Sequence, residues 1–140
     1  MADLETRLEQ SRRLSRMLVL ASDRAKSGFA ASVAPIELPV PLSRALLVLA
    51  EPTSMRDLAA QLAVDPSYVT GLADQLEQRG LITRVPGRDR RVTLLAATST
   101  GAALRAELLA AVTDHTLLVE RLDAAEQETL AALLDKLLAD

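Results

Sequence analysis

Five arginines, Arg79, Arg84, Arg88, Arg90 and Arg91, fall within thirteen residues, opposed there only by Asp89. Guanidinium groups at this density suit phosphate recognition, because each presents a planar fork of donors with a permanent charge. Upstream lie Ser67, Thr70 and Gln75, whose hydroxyl and amide groups can bond to phosphate oxygens or base edges. Bond-making chemistry is poorly supplied. The chain has no cysteine, which excludes disulfides, zinc–thiolate and iron–sulfur sites and thiol redox sensing. The one histidine, His115, has Asp114 beside it and Glu120 five positions on. Only residues three or four apart share a helix face closely, so no metal site is expected and His115 reads as a partly buried hydrogen-bonding residue. With no phosphate-cradling glycine loop and with scattered carboxylates, neither catalysis nor a cofactor is expected.

The basic cluster is local. The 140 residues carry a formal charge of −3, and residues 97–140 hold three basic against eight acidic side chains. Apolar residues make up 49%, mostly Leu, Ala and Val, with aromatics at 1%; such a chain should be mainly α-helical and globular. Apolar runs such as Ala45 to Ala50 fall far short of the roughly 18 residues of a membrane span. The start, Met1-Ala2-Asp3-Leu4-Glu5, lacks the basic and apolar regions of a signal peptide. A cytoplasmic protein with no membrane partner is expected.

The elements that must position these groups follow from periodicity. Leu4, Leu8, Leu14, Met17, Leu18 and Ala21 recur at helical spacing, predicting a long amphipathic helix over 3–32. Three prolines, Pro35, Pro39 and Pro41, make 34–41 a linker. An apolar helix is predicted over 42–51, ended by Pro52. Another is predicted over 54–63, capped by Ser54 with Asp57 three positions on. The next opens with Asp65 as cap and Pro66 at its first position and stops at Gly80. Residues 81–85 and 91–95 are β-prone runs around Pro86-Gly87, a hairpin pattern. Helical spacing returns from Ser99 to about Leu118, and Asp123 caps a last helix.

Two short helices joined by a tight turn and followed by a basic hairpin are the parts of a winged helix-turn-helix, whose second helix enters the major groove. At 100° per residue, Val69, Leu72, Ala73 and Leu76 fall on one side of that helix. Ser67, Thr70, Gly71, Asp74 and Gln78 fall on the other. The apolar side must pack, so the polar side faces out. Gly71 lets backbone approach closely, and Gln75 on the flank suits an adenine. Tyr68 suits either a phosphate contact or packing beneath the wing.

The ordered set Met55-Arg56-Asp57-Leu58-Ala59, Leu62 to Thr70, Leu76 to Arg84, Asp89-Arg90-Arg91 and Thr98-Ser99-Thr100-Gly101 resembles the multiple antibiotic resistance regulator (MarR) family of bacterial winged-helix transcription factors. The likeness spans about residues 10–138. It implies a mainly α fold: an N-terminal dimerisation helix (1–34), a winged helix-turn-helix lobe with a two-stranded wing (35–97), and C-terminal dimerisation helices (98–140). It also implies a homodimer on a near-palindromic double-stranded DNA operator, acting as a repressor released by a small-molecule effector. The DNA-contacting set would be Ser67, Tyr68, Thr70, Gly71, Gln75, Arg84, Arg88, Arg90 and Arg91. Arg88 and Arg90 would enter the minor groove, and Asp89 would brace the wing through an arginine such as Arg91.

Four residues separate Arg84 from Asp89, one fewer than the family's usual spacing, and Ala97 stands where the family usually has leucine. The recognition helix has no basic residue before Arg79, and Asp74 would repel phosphate unless an arginine pairs with it. A protein-interaction or antirepressor module that no longer binds DNA is the alternative reading, favoured by the acidic balance of the chain and by Asp74. A helix of about thirty residues is roughly 45 Å long, more than one small lobe can cover, so a partner chain is expected over the terminal leucines. The resemblance places an effector cleft at Met17, Ala21, Arg24, Leu46 and Leu108, with Arg24 facing an effector carboxylate.

Overall fold

The computed structural model describes residues 1–113 and 116–140. Asp114 and His115, and the role expected for His115, lie outside the described residues. The described chain forms two compact units, residues 33–113 and residues 1–32 with 116–140.

The first unit is the lobe. It begins with Val33, a 3-10 turn over Ala34–Ile36, and Glu37 in the left-handed region at φ 60°. Helix α2 spans Val40–Val48, two residues earlier at its start and three earlier at its end than the periodicity predicts. Pro41 lies in its first turn, where no intrahelical donor is needed, so the linker is shorter than 34–41. Strand β1 (Thr53–Ser54) leads into α3 (Met55–Leu62), where the Ser54 hydroxyl accepts from the Asp57 amide at 3.1 Å. Helix α3 ends on Ala63, left-handed at φ 54°. The amides of Ala63 and Val64 bond back to the carbonyls of Ala60 and Ala59, a C-cap that ordinarily favours glycine.

Helix α4 (Pro66–Gln78) closes in the same way, with Gly80 at φ 72° and the Leu81 amide bonded to the Leu76 carbonyl. Strands β2 (Ile82–Pro86) and β3 (Thr93–Ala97) pair antiparallel with Arg84 opposite Leu95 and Pro86 opposite Thr93. Strand β3 starts two residues later than expected. The sheet has three strands in the order β1-β3-β2, because Thr53 and Ser54 pair with Leu95 and Leu94. β1 thus adds a third strand to the two-stranded wing. Helix α5 (Ser99–Thr113) packs on α2 and β3. It belongs to the lobe rather than with the C-terminal helices.

Leu42, Leu46, Leu49, Leu58, Leu76, Leu95 and Leu108 are fully buried. Truncating any one to alanine costs about 2–5 kcal/mol. Ser43, the buried polar residue among them, donates its hydroxyl to the Leu38 carbonyl at 3.2 Å.

The second unit contains α1 (Ala2–Val33, its last residue lying in the lobe), α6 (Leu117–Arg121) and α7 (Ala124–Leu138). Helix α1 runs unbroken through Gly28. At α7 the capping box is complete: the Asp123 carboxylate accepts from the Glu126 amide at 2.9 Å, and the Glu126 carboxylate accepts from the Asp123 amide at 3.1 Å. Leu4, Leu8, Leu14, Met17 and Leu18 on α1, and Leu133, Leu137 and Leu138 on α7, are exposed. Among the described residues no single helix is long and apolar enough to cross a membrane.

Candidate nucleic-acid interface

Helix α4 buries Val69, Leu72, Ala73 and Leu76 and leaves Ser67, Thr70, Gly71, Asp74, Gln75 and Gln78 exposed. The division is the one that helical geometry dictates. Its first turn is fixed by Asp65, whose carboxylate accepts from the Ser67 amide at 2.9 Å and the Ser67 hydroxyl at 2.7 Å. Those two bonds, the hydroxyl's first, hold the Asp65 carboxyl below its usual 3.8. The Ser67 hydroxyl proton is therefore already engaged, while its oxygen can still accept. Tyr68 is 49% exposed.

Asp74 has the partner its position requires. Arg84 on β2 donates from Nη2 to Asp74 Oδ1 at 2.6 Å, and its Nε lies 3.4 Å from Glu77 Oε2. Arg84, expected to contact DNA, is held by two carboxylates of α4. It thereby joins β2 to the helix. Glu77 was not expected in this region, since its charge matters only once the hairpin folds beside α4.

The wing turn closes with the Gly87 amide bonded to the Val92 carbonyl and the Val92 amide to the Asp89 carbonyl, both at 2.9 Å. The Asp89 carboxylate accepts from Arg91 three times: from Nε at 3.2 Å, Nη2 at 3.1 Å and the backbone amide at 3.0 Å. The side-chain bonds first, then the backbone bond, keep the Asp89 carboxyl below its usual range. The brace expected between Asp89 and Arg91 is present, and it engages Nε and one Nη2 donor of an otherwise exposed guanidinium. Arg88 and Arg90 are exposed and, among the described residues, have no carboxylate partner. Two of the four arginines over 84–91 are thus paired with carboxylates, and two, among the described residues, are not.

Thr98 ties the base of this assembly together. Its hydroxyl donates to the Gly80 carbonyl at 2.6 Å and accepts from the Gly101 amide at 3.0 Å, and its own amide donates to the Leu81 carbonyl at 3.0 Å. A Cβ on Gly101 would sit 1.9 Å from the Leu81 carbonyl oxygen, so α5 can start there only on a glycine. Arg105 of α5 donates from Nε to the Leu47 carbonyl at 2.9 Å, satisfying one of the last carbonyls of α2. Of the residues assigned to an effector cleft, Leu46 and Leu108 are 0% exposed and are lobe core. Met17, Ala21 and Arg24 are exposed on α1.

A family model for the MarR family matches residues 46–93, from α2 to the first residue of β3. The structure of CouR from Rhodococcus jostii RHA1 bound to p-coumaroyl-CoA is 30% identical over 91% of this chain and 92% of that one, with a TM-score of 0.74. The chain belongs to the MarR family. Among other solved MarR-family structures it is similar to a mutant MarR from E. coli complexed with operator DNA. That protein is 26% identical, with 90% and 94% of the two chains covered and a TM-score of 0.74. The transcriptional repressor CouR bound to a 23-mer DNA duplex is 30% identical over 92% and 94%, with a TM-score of 0.73. No match is found among curated proteins. This MarR-family chain is a DNA-binding transcriptional regulator with a winged-helix fold.

Proposed function

We propose that the chain is a ligand-responsive repressor that binds a near-palindromic operator as a homodimer. Ser67, Tyr68, Thr70, Gly71 and Gln75 would meet the major groove, with Arg88 and Arg90 at the minor groove. The observation that carries this is the division of labour in the wing. Arg84 and Arg91 are ion-paired with Asp74, Glu77 and Asp89, and the two arginines without a carboxylate partner among the described residues, Arg88 and Arg90, sit at the tip. A tip carrying two uncompensated cations beside a polar helix face is built for a polyanion, since minor-groove potential draws arginine in. The alternative of a module without DNA binding drew on the chain's acidic balance and on an unpaired Asp74; Asp74 is paired.

The dimer is supported by the exposed leucines of α1 and α7. Apolar rows of this length are buried by association. The effector proposal draws on CouR, which is bound to p-coumaroyl-CoA in one of its structures. An acidic effector with an apolar body, with Arg24 opposite its charge, is the form it takes here.

The experiment is a mobility shift with duplex DNA from upstream of the chain's own coding sequence, followed by addition of aromatic and aliphatic acids. A retarded complex that an acid releases is expected. Binding that no acid affects removes the ligand response. Light scattering should give about 30 kDa, twice the 15.0 kDa of one chain, and a folded 15 kDa species removes the dimer.

A further inference from the structure

Gly71 sits in the interior of α4, where glycine destabilises a helix relative to alanine because more backbone freedom is lost on folding. Nothing among the described residues asks for it. A Cβ built at Gly71 meets no atom within 4 Å. Its backbone is ordinary right-handed helix, Gly80 being the glycine with positive φ. Gly101, by contrast, is required by the Leu81 carbonyl pressed against it. A space kept open at a cost, and kept open toward solvent, is space for something outside the chain.

Its position says what that is. Gly71 lies one helical turn from Ser67 and one from Gln75, beside Thr70 and Asp74, on the exposed polar side. That side has no cation before Arg79, so phosphates are left to the wing. Asp74, which would oppose close approach to DNA, is held by Arg84 at 2.6 Å. Hydrogen bonds from Ser67 or Gln75 to base edges need heavy-atom distances of about 2.7–3.2 Å. A side chain between them that touched the groove floor first would hold the helix off.

We infer that Gly71 marks the closest approach of α4 to the base-pair edges, and that its missing side chain determines specificity. A base-edge substituent in each half-site occupies the volume a Cβ would take. The inference rests on α4 being the helix that reads DNA, as proposed above.

The test uses the full chain, a duplex enriched by the unsubstituted protein from a random pool, and the unselected pool. Gly71→Ala should raise the melting temperature by about 2–4 °C. It should lower affinity for the enriched duplex roughly tenfold and change affinity for the pool by less than about twofold, because pool binding is phosphate-driven. Gly71→Ser should lose more than Gly71→Ala on the enriched duplex. Unchanged affinity for that duplex in a stabilised Gly71→Ala protein overturns the inference, as does an equal loss on both DNAs. A lowered melting temperature also overturns it, because the folded chain would then need the glycine. If the unsubstituted protein enriches no sequence, the DNA-reading role of α4 fails, and the inference falls with it.

Discussion

The Arg84 guanidinium on β2 stands 2.6 Å from the Asp74 carboxylate on α4, bridging the hairpin and the helix. With side chains 33% and 53% exposed, such a pair adds only about 0–1 kcal/mol to stability. Its larger effect is on the field the helix presents. Arg84→Ala should leave Asp74 uncompensated and weaken duplex binding about tenfold, with little change in melting temperature. The Asp74→Ala/Arg84→Ala double variant should recover most of that loss. Fluorescence anisotropy on the four proteins of this cycle checks it, and additive losses would show that Arg84 acts on DNA directly.

Gly101 should tolerate nothing larger. Its alanine Cβ would fall 1.9 Å from the Leu81 carbonyl oxygen, and backbone rather than a flexible side chain would have to move. Gly101→Ala should cost about 3 kcal/mol, read as a lower urea midpoint with an unchanged slope.

Ala63 should behave in the opposite way. It holds φ 54° at the end of α3, where a Cβ costs roughly 1–2 kcal/mol. Glycine loses part of that gain to its freer unfolded chain. Ala63→Gly should therefore stabilise by about 0.5 kcal/mol, measured by urea unfolding.

The caps and faces were legible because they are local. Ser54, Asp65, Asp123 and Gly80 act within four residues of where they stand, and the 100° step alone sorts α4 into its buried and exposed sides. The start of α2 was misplaced because a proline in a first turn and a proline in a linker look alike in sequence. β1 escaped because two residues carry no alternation, and Thr53–Ser54 is a strand only through its pairing with β3. The site's scaffold was the least legible part. The Thr98–Gly80 bond spans 18 residues and the Arg105–Leu47 bond 58, and no local pattern announces them. The resemblance sets Arg91 apart as the brace partner of Asp89, but the pairing of Arg84 with Asp74 and Glu77 joins residues of two elements and shows only once the hairpin folds beside α4.

Asp89 and Asp65 titrate below 3.8 in the folded chain. A carboxyl whose folded value is lowered binds protons less readily than in the unfolded chain. Its stabilising bonds are thus fully present above about pH 4 and are lost as pH falls through the lowered values. Side-chain carboxyl NMR should place the Asp89 midpoint below 3.8, and Arg91→Ala should move it upward. An Asp89 midpoint unaffected by Arg91→Ala would contradict the brace.

The free wing arginines bear most directly on whether this chain grips DNA as its geometry suggests. The measurement is duplex affinity against salt for the unsubstituted protein, Arg88→Ala and Arg90→Ala, on enriched and random DNA. Log affinity should fall linearly with log salt, and each substitution should reduce the slope by roughly 1 while weakening both DNAs alike. Thr70→Ala and Gln75→Ala should instead narrow the gap between the two DNAs and leave the slope unchanged. A salt slope near zero, or one that neither arginine substitution alters, would contradict the account.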